Sequence, residues 1–148
     1  MTQKDRELLL KDLCARLPYG VKIHTSFMGH ENTEELVAIN KDAMLGDYAS
    51  VVVNPVEEDI NDGYELENVK PYLRSMSSMT EEERDEMKRL LNPDGTGWFT
   101  AEGFVIPASH YGDMLDYSFL DDIRDYLDSK HFDHRGLIPK GLALEAKE

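Results

Sequence analysis

Short apolar stretches separated by turn-forming residues most strongly limit what the first half of this chain can fold into. The candidate strands cover four stretches: 21–25, 36–39, 48–53 and 64–67. In the first stretch Val21, Ile23 and Thr25 alternate with polar residues, which is the period of a half-buried strand. Glycine, asparagine, aspartate or proline stands between the stretches. The region of about 20–74 therefore predicts a small curved antiparallel sheet or a Src-homology-like barrel, with 68–73 as a tight turn or short 3₁₀ segment.

A helix is expected before this region. Over 2–17, apolar residues recur at helical spacing at Leu9, Leu10, Leu13, Cys14 and Leu17. Thr2 can cap the N-terminus with Asp5 three residues on, and Pro18 and Gly20 end the helix. Because Cys14 belongs to the apolar face, we expect it to be buried as a small hydrophobic residue. As the single cysteine it excludes an internal disulfide framework.

Two more helices are expected after the sheet region. Thr80 is followed three residues later by Glu83, the pattern of a capping box, which predicts a helix over 80–91. A further helix is predicted over 118–130, with Ser118 as its N-cap. The tail after it carries apolar residues between glycine and proline breakers, so we expect an extended segment that packs back on the body.

Together these patterns predict an α+β fold in a single domain, 1–148. The N-terminal helix leads into the sheet or barrel, and a helical region with the tail follows over about 78–148. A chain of this length can bury a sizeable core without disulfides or metals.

The charge of the chain narrows the classes of partner. It has 30 acidic against 16 basic residues and a net charge of −14. No basic stripe is present to neutralise phosphates, so direct nucleic-acid binding and docking on anionic membranes are disfavoured. No apolar run has the length of a membrane span, and the start lacks the apolar core of a secretory signal, so a cytoplasmic location is expected. The expected partner is a protein, with a basic protein as one alternative, and the oligomeric state stays open.

Acidic residues on the predicted helix over 118–130 are one candidate binding surface. Asp121, Asp125 and Asp128 are expected on its outward side. Such a face is typical of a solvated surface that keeps a protein soluble. The alternative is a surface that imitates nucleic-acid phosphates for a basic partner.

A second candidate cluster follows that helix. It contains His131, Asp133, His134 and Arg135. Imidazole and carboxylate groups can bind zinc or share a proton, but no third ligand stands at a diagnostic spacing. We therefore favour a structural or binding role and assign no catalytic residue, metal or cofactor. The stretch 92–103 approaches an EF-hand loop, but Gly103 replaces the glutamate of the twelfth position, which argues against calcium binding.

Three segments resemble uncharacterised small acidic proteins of gut Bacteroidales and their phages. They are LLLKDLCARLPYGV at 8–21, VKPYLR at 69–74 with SSMTEE at 77–82, and FDHRGLIPKGLALEA at 132–146. His134 departs from the tyrosine of that pattern, and the region 92–116 has no counterpart in it. The resemblance implies a mobile-element or phage-related context for an accessory factor, and it transfers no catalytic residue.

Three functions of different classes follow from these patterns. The first is a non-enzymatic protein-binding or accessory module. The second is an acidic, nucleic-acid-mimicking inhibitor of a DNA- or RNA-binding protein. The third is a small hydrolase or metal enzyme that uses the cluster at His131, Asp133 and His134.

Overall fold

The computed structural model describes residues 1–42, 48–54, 63–91, 98–100, 103–105 and 118–146. The chain forms two compact units, Met1–Met76 with Asp128–Glu148 and Ser77–Leu127. Its helices and strands are α1 (Gln3–Arg16), β1 (Lys22–Phe27), β2 (His30–Asp42), β3 (Tyr48–Asn54), β4 (Tyr64–Glu65), β5 (Val69–Leu73), α2 (Glu81–Leu91), β6 (Trp98–Thr100), β7 (Gly103–Val105), α3 (Ser118–Ser129) and β8 (Leu144–Glu145). This content confirms the predicted α+β fold with an N-terminal helix.

The start of α1 is capped as predicted. The Thr2 hydroxyl accepts a hydrogen bond from the Asp5 amide, and the Asp5 carboxylate accepts one from the Thr2 amide. At the other end a 3₁₀ turn over Leu17–Tyr19 leads to Gly20, which adopts a left-handed φ of 65°. Glycine takes this conformation without steric cost, so the chain can turn sharply into β1.

The buried side of α1 matches the apolar spacing except at one position, and Leu10 and Leu17 pack against the core as well. Leu9 and Leu13 are buried, but Cys14 is exposed, so the prediction that it is buried is wrong. Two charged residues, Asp12 and Arg16, are buried instead. Residues four apart share one side of a helix, and an acid and a base at that spacing can satisfy each other when they leave water. The buried side of α1 therefore also includes a polar pair, which apolar periodicity does not indicate.

The main sheet has the strand order β4-β3-β2-β1-β5-β8. Its pairs are antiparallel except for β5 and β8, which run parallel because the tail re-enters the sheet at its edge. Within the described strands β4 and β8 are the two edges and do not pair, so the sheet is open rather than a closed barrel. The described strands therefore form no Src-homology-like barrel, and the sheet is mixed rather than wholly antiparallel.

Residues 69–73 form a strand, which corrects the tight turn or 3₁₀ segment predicted there. Proline inside a strand removes a ladder donor, and Pro71 therefore argued against one. The Leu73 carbonyl accepts from the Ala146 amide, so by alternation the main-chain nitrogen of Pro71 faces the same side of β5. Strand β8 pairs only with Tyr72 and Leu73, so no ladder bond is lost at Pro71.

The core of the first unit lies between α1 and one face of the sheet. Its buried members are Leu9, Leu13, Val21, Ile23, Leu36, Val51, Tyr64, Leu66, Val69, Leu73, Leu137, Leu142 and Ala143. The last three belong to the tail, which packs back on the body as predicted. It does so through turns in which the Leu142 amide donates to the Leu137 carbonyl, before β8 begins.

In the second unit, α2 begins with the predicted capping box. The Glu83 amide donates to the Thr80 hydroxyl, and the Thr80 amide donates to the Glu83 carboxylate. The Tyr126 hydroxyl of α3 lies 2.8 Å from the carboxylate of Glu86 on α2. Strands β6 and β7 form a separate antiparallel pair. The side chain of Ser118 and residues 92–97 and 101–102 of the EF-hand-like stretch lie outside what the structure describes.

Among the described segments, no helix combines the length and apolar character that a membrane span requires.

Candidate functional site

The residues that sequence analysis singled out after α3 meet a buried pair on α1. The Arg16 side chain donates to both carboxylate oxygens of Asp12, at 2.8 and 2.9 Å, and both side chains are fully buried. Arg16 also donates to the carbonyl of Phe132, at 2.6 Å. The guanidinium thus connects the end of α1 to the segment that follows α3.

Asp128 and Arg135 extend this pair into a network. Arg135 donates to Asp12 at 2.8 Å and to Asp128 at 2.7 Å, and His134 Nε2 lies 2.8 Å from the same Asp128 oxygen. Burial alone raises the pKa of the Asp128 carboxyl, but the hydrogen bonds from His134 and Arg135 outweigh it and hold the pKa well below its usual range. Asp128 is therefore a carboxylate held ionised by its neighbours.

The burial of Asp128 corrects its expected outward position on α3. Only 3% of this residue is exposed, and it lies among cationic side chains rather than in an acidic surface. Asp121 and Asp125 are exposed on the same helix, as expected. The three aspartates therefore do not form one continuous acidic face.

Asp133 lies beside this network, but its carboxylate binds main-chain amides of the turn that follows it. One carboxylate oxygen accepts from the Leu137 amide at 2.7 Å, and the other accepts from the Ile138 amide at 2.9 Å. The residue is buried, and both oxygens are directed at main-chain donors. Asp133 therefore fixes the turn of the tail.

His131 links the end of α3 to β5 through its main chain. Its amide donates to the Asp128 carbonyl, and its carbonyl accepts from the Arg74 amide. It adopts a left-handed φ of 61°, and within the described residues its buried Nδ1 has no hydrogen-bond partner. Burial, followed by the charge of Arg16, lowers the pKa of His131, so its neutral form is favoured.

The structure therefore brings together Asp128, His134 and Arg135, with His131 and Asp133 alongside. Asp12 and Arg16 complete this ion network, and sequence analysis missed them. The sequence signal that could have indicated this pair is an acid and a base four residues apart on the otherwise apolar side of α1. Across the described ranges, no three histidine, cysteine, aspartate or glutamate side chains converge as a metal site. The ion network joins α1 to the end of α3 and to the tail.

A different feature stands at the tip of the β1–β2 hairpin. Phe27 pairs with His30, so Met28 and Gly29 form a two-residue turn, and both have positive φ, at 48° and 81°. Positive φ at both positions is typical of type I′ turns, which favour asparagine and glycine. Met28 is nevertheless a large apolar residue with 84% of its surface exposed. This residue breaks both the conformational and the polarity preferences of its position.

Phe27 adds a second apolar side chain beside Met28. It is 51% exposed, and its ring meets the buried ring of Tyr64 edge-to-face, with 6.5 Å between the centroids. The Phe27 ring is therefore held from one side and open on the other. Sequence analysis left the residues between 21–25 and 36–39 as a connection with turn-forming residues, but β1 continues to Phe27 and β2 begins at His30, so the hairpin tip of Phe27 and Met28 was missed.

Comparison with known proteins gives no family assignment: no family model matches the chain, and neither the curated proteins nor the solved structures yield a match.

Proposed function

We propose that this protein is a non-enzymatic protein-binding module and that its partner binds the hairpin tip of Phe27 and Met28. The single observation that carries the proposal is the exposed Met28 at a left-handed position. The mobile-element or phage-related context suggested by the sequence resemblance is part of the same proposal.

The conformation of Met28 argues that stability alone did not select it. A left-handed conformation costs a residue with a Cβ about 1 kcal/mol or more, and glycine and asparagine adopt it more readily. Met28 makes no compensating burial, since 84% of its surface remains exposed. Local rules broken without a gain in the folded monomer are characteristic of functional positions.

The two side chains suit a protein partner. Methionine is flexible and polarizable, so it fits irregular apolar pockets, and aromatic residues are enriched among those that contribute most to interfaces. Because Tyr64 already restrains the Phe27 ring, less side-chain entropy is lost when that ring becomes buried.

The residues next to the tip define the rim of the interface. Strand β2 carries the exposed Glu31 two residues after the turn, opposite Ser26, within a chain of net charge −14. A partner with an apolar pocket and basic groups around it complements this arrangement, and salt should slow its association more than it speeds its release.

The two alternative functions have less support. The enzyme hypothesis needs Asp133 and His134 to be available, but Asp133 holds a turn and His134 is paired with Asp128. The nucleic-acid mimic loses Asp128 from its acidic face and keeps Asp121 and Asp125.

The test compares proteins captured from native-host lysate by three baits. These are the wild type, Met28→Asn and Met76→Gln, the last changing a methionine that is 41% exposed elsewhere in the same unit. Asparagine suits the turn, so loss of binding by Met28→Asn cannot be attributed to an unfolded hairpin. We expect a partner captured by the wild type and Met76→Gln but not by Met28→Asn. The same captured set on all three baits, or no captured protein, would contradict the proposal.

A further inference from the structure

A groove of about 640 Å³ lies on the main sheet, apart from the hairpin tip. The described residues that line it are Lys22, Thr33, Tyr72, Leu144, Glu145 and Ala146. They come from β2, β1, β5 and the β8 segment, which are consecutive in the sheet. Cavities of roughly 300–1,000 Å³ with apolar walls and a few polar groups are the usual sites of small ligands.

The apolar wall of the groove comes from two neighbouring strands. Buried residues alternate with half-buried ones along β5, and Tyr72 is half-buried, so its ring lies on the face away from the core. Leu144 pairs with Tyr72 and shares that face, and Ala146 follows two residues later. One aromatic ring and two aliphatic side chains therefore stand together on the side of the sheet opposite to α1.

This wall is held in place by polar contacts. The Tyr72 hydroxyl lies 3.4 Å from His24 Nδ1 and 3.5 Å from the Thr33 hydroxyl. The His24 and Tyr72 rings also meet edge-to-face, with 6.2 Å between their centroids. The Tyr72 ring is thus oriented before any ligand arrives, which lowers the entropy lost on binding.

Lys22 supplies the charge of the groove. It precedes the fully buried Ile23 on β1, so its side chain lies on the same face as Tyr72. Glu145 pairs with the buried Leu73, so its carboxylate is directed to the opposite face of the sheet. Within the part of the chain that the structure describes, the Lys22 ammonium group forms no ion pair. The described lining therefore presents one positive charge beside an apolar wall.

The acidic residue opposite Lys22 is directed away from the groove. Glu35 is the cross-strand partner of Lys22, but it is not among the lining residues. Its carboxylate lies 2.6 Å from the position that a Cβ of Gly20 would occupy, before the start of β1. The net charge of −14 acts mainly from longer distances, and salt screens charges more than about 8 Å apart at physiological ionic strength. The ammonium group is thus left to a ligand.

We propose that the groove binds a small organic anion with one carboxylate and an apolar body, of the kind represented by a medium-chain fatty acid. The carboxylate pairs with Lys22, and the apolar body lies against Tyr72, Leu144 and Ala146. A cationic ligand would be repelled by Lys22. An inorganic anion would leave the apolar wall in water and gain nothing from its burial.

The test titrates the full chain with octanoate at neutral pH and physiological salt and follows amide chemical shifts by NMR. Octanamide, octylammonium and acetate are the comparison ligands, which change the charge or remove the apolar body. We expect octanoate to shift the amides of the groove residues and to bind about threefold more tightly than octanamide, the size of one exposed ion pair. Octylammonium should bind more weakly than octanamide, and acetate should leave the groove amides unshifted.

Two variants assign the two parts of the ligand. Lys22→Met should bind octanoate and octanamide equally. Lys11→Met is the matched control, because it removes the same charge from an exposed position on α1 and should keep the preference for octanoate. Leu144→Ala should weaken the binding of octanoate and octanamide alike, since both have the same apolar body. An amide spectrum unchanged outside the groove shows that each variant is folded.

Three results would overturn the proposal. The first is an absence of shifts at the groove with millimolar octanoate. The second is binding of octanamide or octylammonium to the wild type as tight as that of octanoate. The third is the same preference for octanoate in Lys22→Met as in Lys11→Met.

Discussion

Asp12 and Arg16, one turn apart on α1, join through two hydrogen bonds of 2.8 and 2.9 Å with both side chains withdrawn from solvent. Arg135, from the far end of the sequence, reaches the same Asp12 carboxylate. The Asp12 carboxylate therefore contacts two guanidinium groups inside the first unit, and Asp128 supplies the second negative charge beside them. Breaking such a buried arrangement leaves charges without partners, which is strongly destabilising.

Asp12→Ala should lower the free energy of unfolding by about 3 kcal/mol, because Arg16 and Arg135 both lose a buried acceptor. Urea unfolding followed by circular dichroism measures this. Glu7→Gln, at an exposed position of the same helix, is the control and should change the free energy by less than about 0.5 kcal/mol. Equal changes in the free energy of unfolding for the two variants would contradict a stabilising role of Asp12.

The stability of the protein should fall in acid in part through Asp128. Its pKa is lowered in the folded state, so its contribution is complete above the unfolded value of about 4 and is lost as the pH falls below it. The groups that hold it ionised are His134, Arg135 and, at 3.7 Å, Arg16.

Urea unfolding at a series of pH values tests this linkage. Asp128→Asn should be less stable than the wild type near neutral pH and show a flatter decline below about pH 4. Asp125→Asn changes an exposed aspartate one turn earlier on α3 and should keep the slope of the wild type. If the stability of Asp128→Asn fell with pH as steeply as that of the wild type, the Asp128 carboxylate would not be a source of the acid sensitivity.

Two glycines with similar backbone angles form a matched pair. Gly20 and Gly141 have φ of 65° and 72°. A Cβ at Gly20 would lie 2.6 Å from the Glu35 carboxylate, whereas nothing lies within 4 Å at Gly141. Because a glutamate side chain can rotate away, we expect Gly20→Ala and Gly141→Ala to have similar costs of about 1 kcal/mol each. A much larger loss of stability in Gly20→Ala by thermal unfolding would show that Glu35 is fixed.

Features set by neighbours in sequence were predictable from the chain alone. The capping boxes at Thr2 and Thr80 need only a side chain and an amide three residues apart, so their short patterns are sufficient. Strand periodicity likewise located β1, whose buried residues alternate with polar ones.

Features set by distant residues were not predictable in this way. The burial of Asp12 and Arg16 depends on Arg135 and on the carbonyl of Phe132, more than a hundred residues away. Apolar spacing therefore placed Cys14 inside, where the structure has it exposed. The exposed Met28 escaped notice because apolar side chains are read as core until their surroundings are known.

Met28 is proposed to contact the partner from an unfavourable backbone conformation. Replacing it should therefore change stability and partner binding in opposite directions. The most direct measurement determines the melting temperature of the wild type and Met28→Asn and their affinities for the captured partner. We predict that Met28→Asn melts at a higher temperature, because asparagine suits the left-handed turn, yet binds the partner at least about tenfold more weakly. Equal affinities would contradict the account, since Met28 would then have no part in the interface.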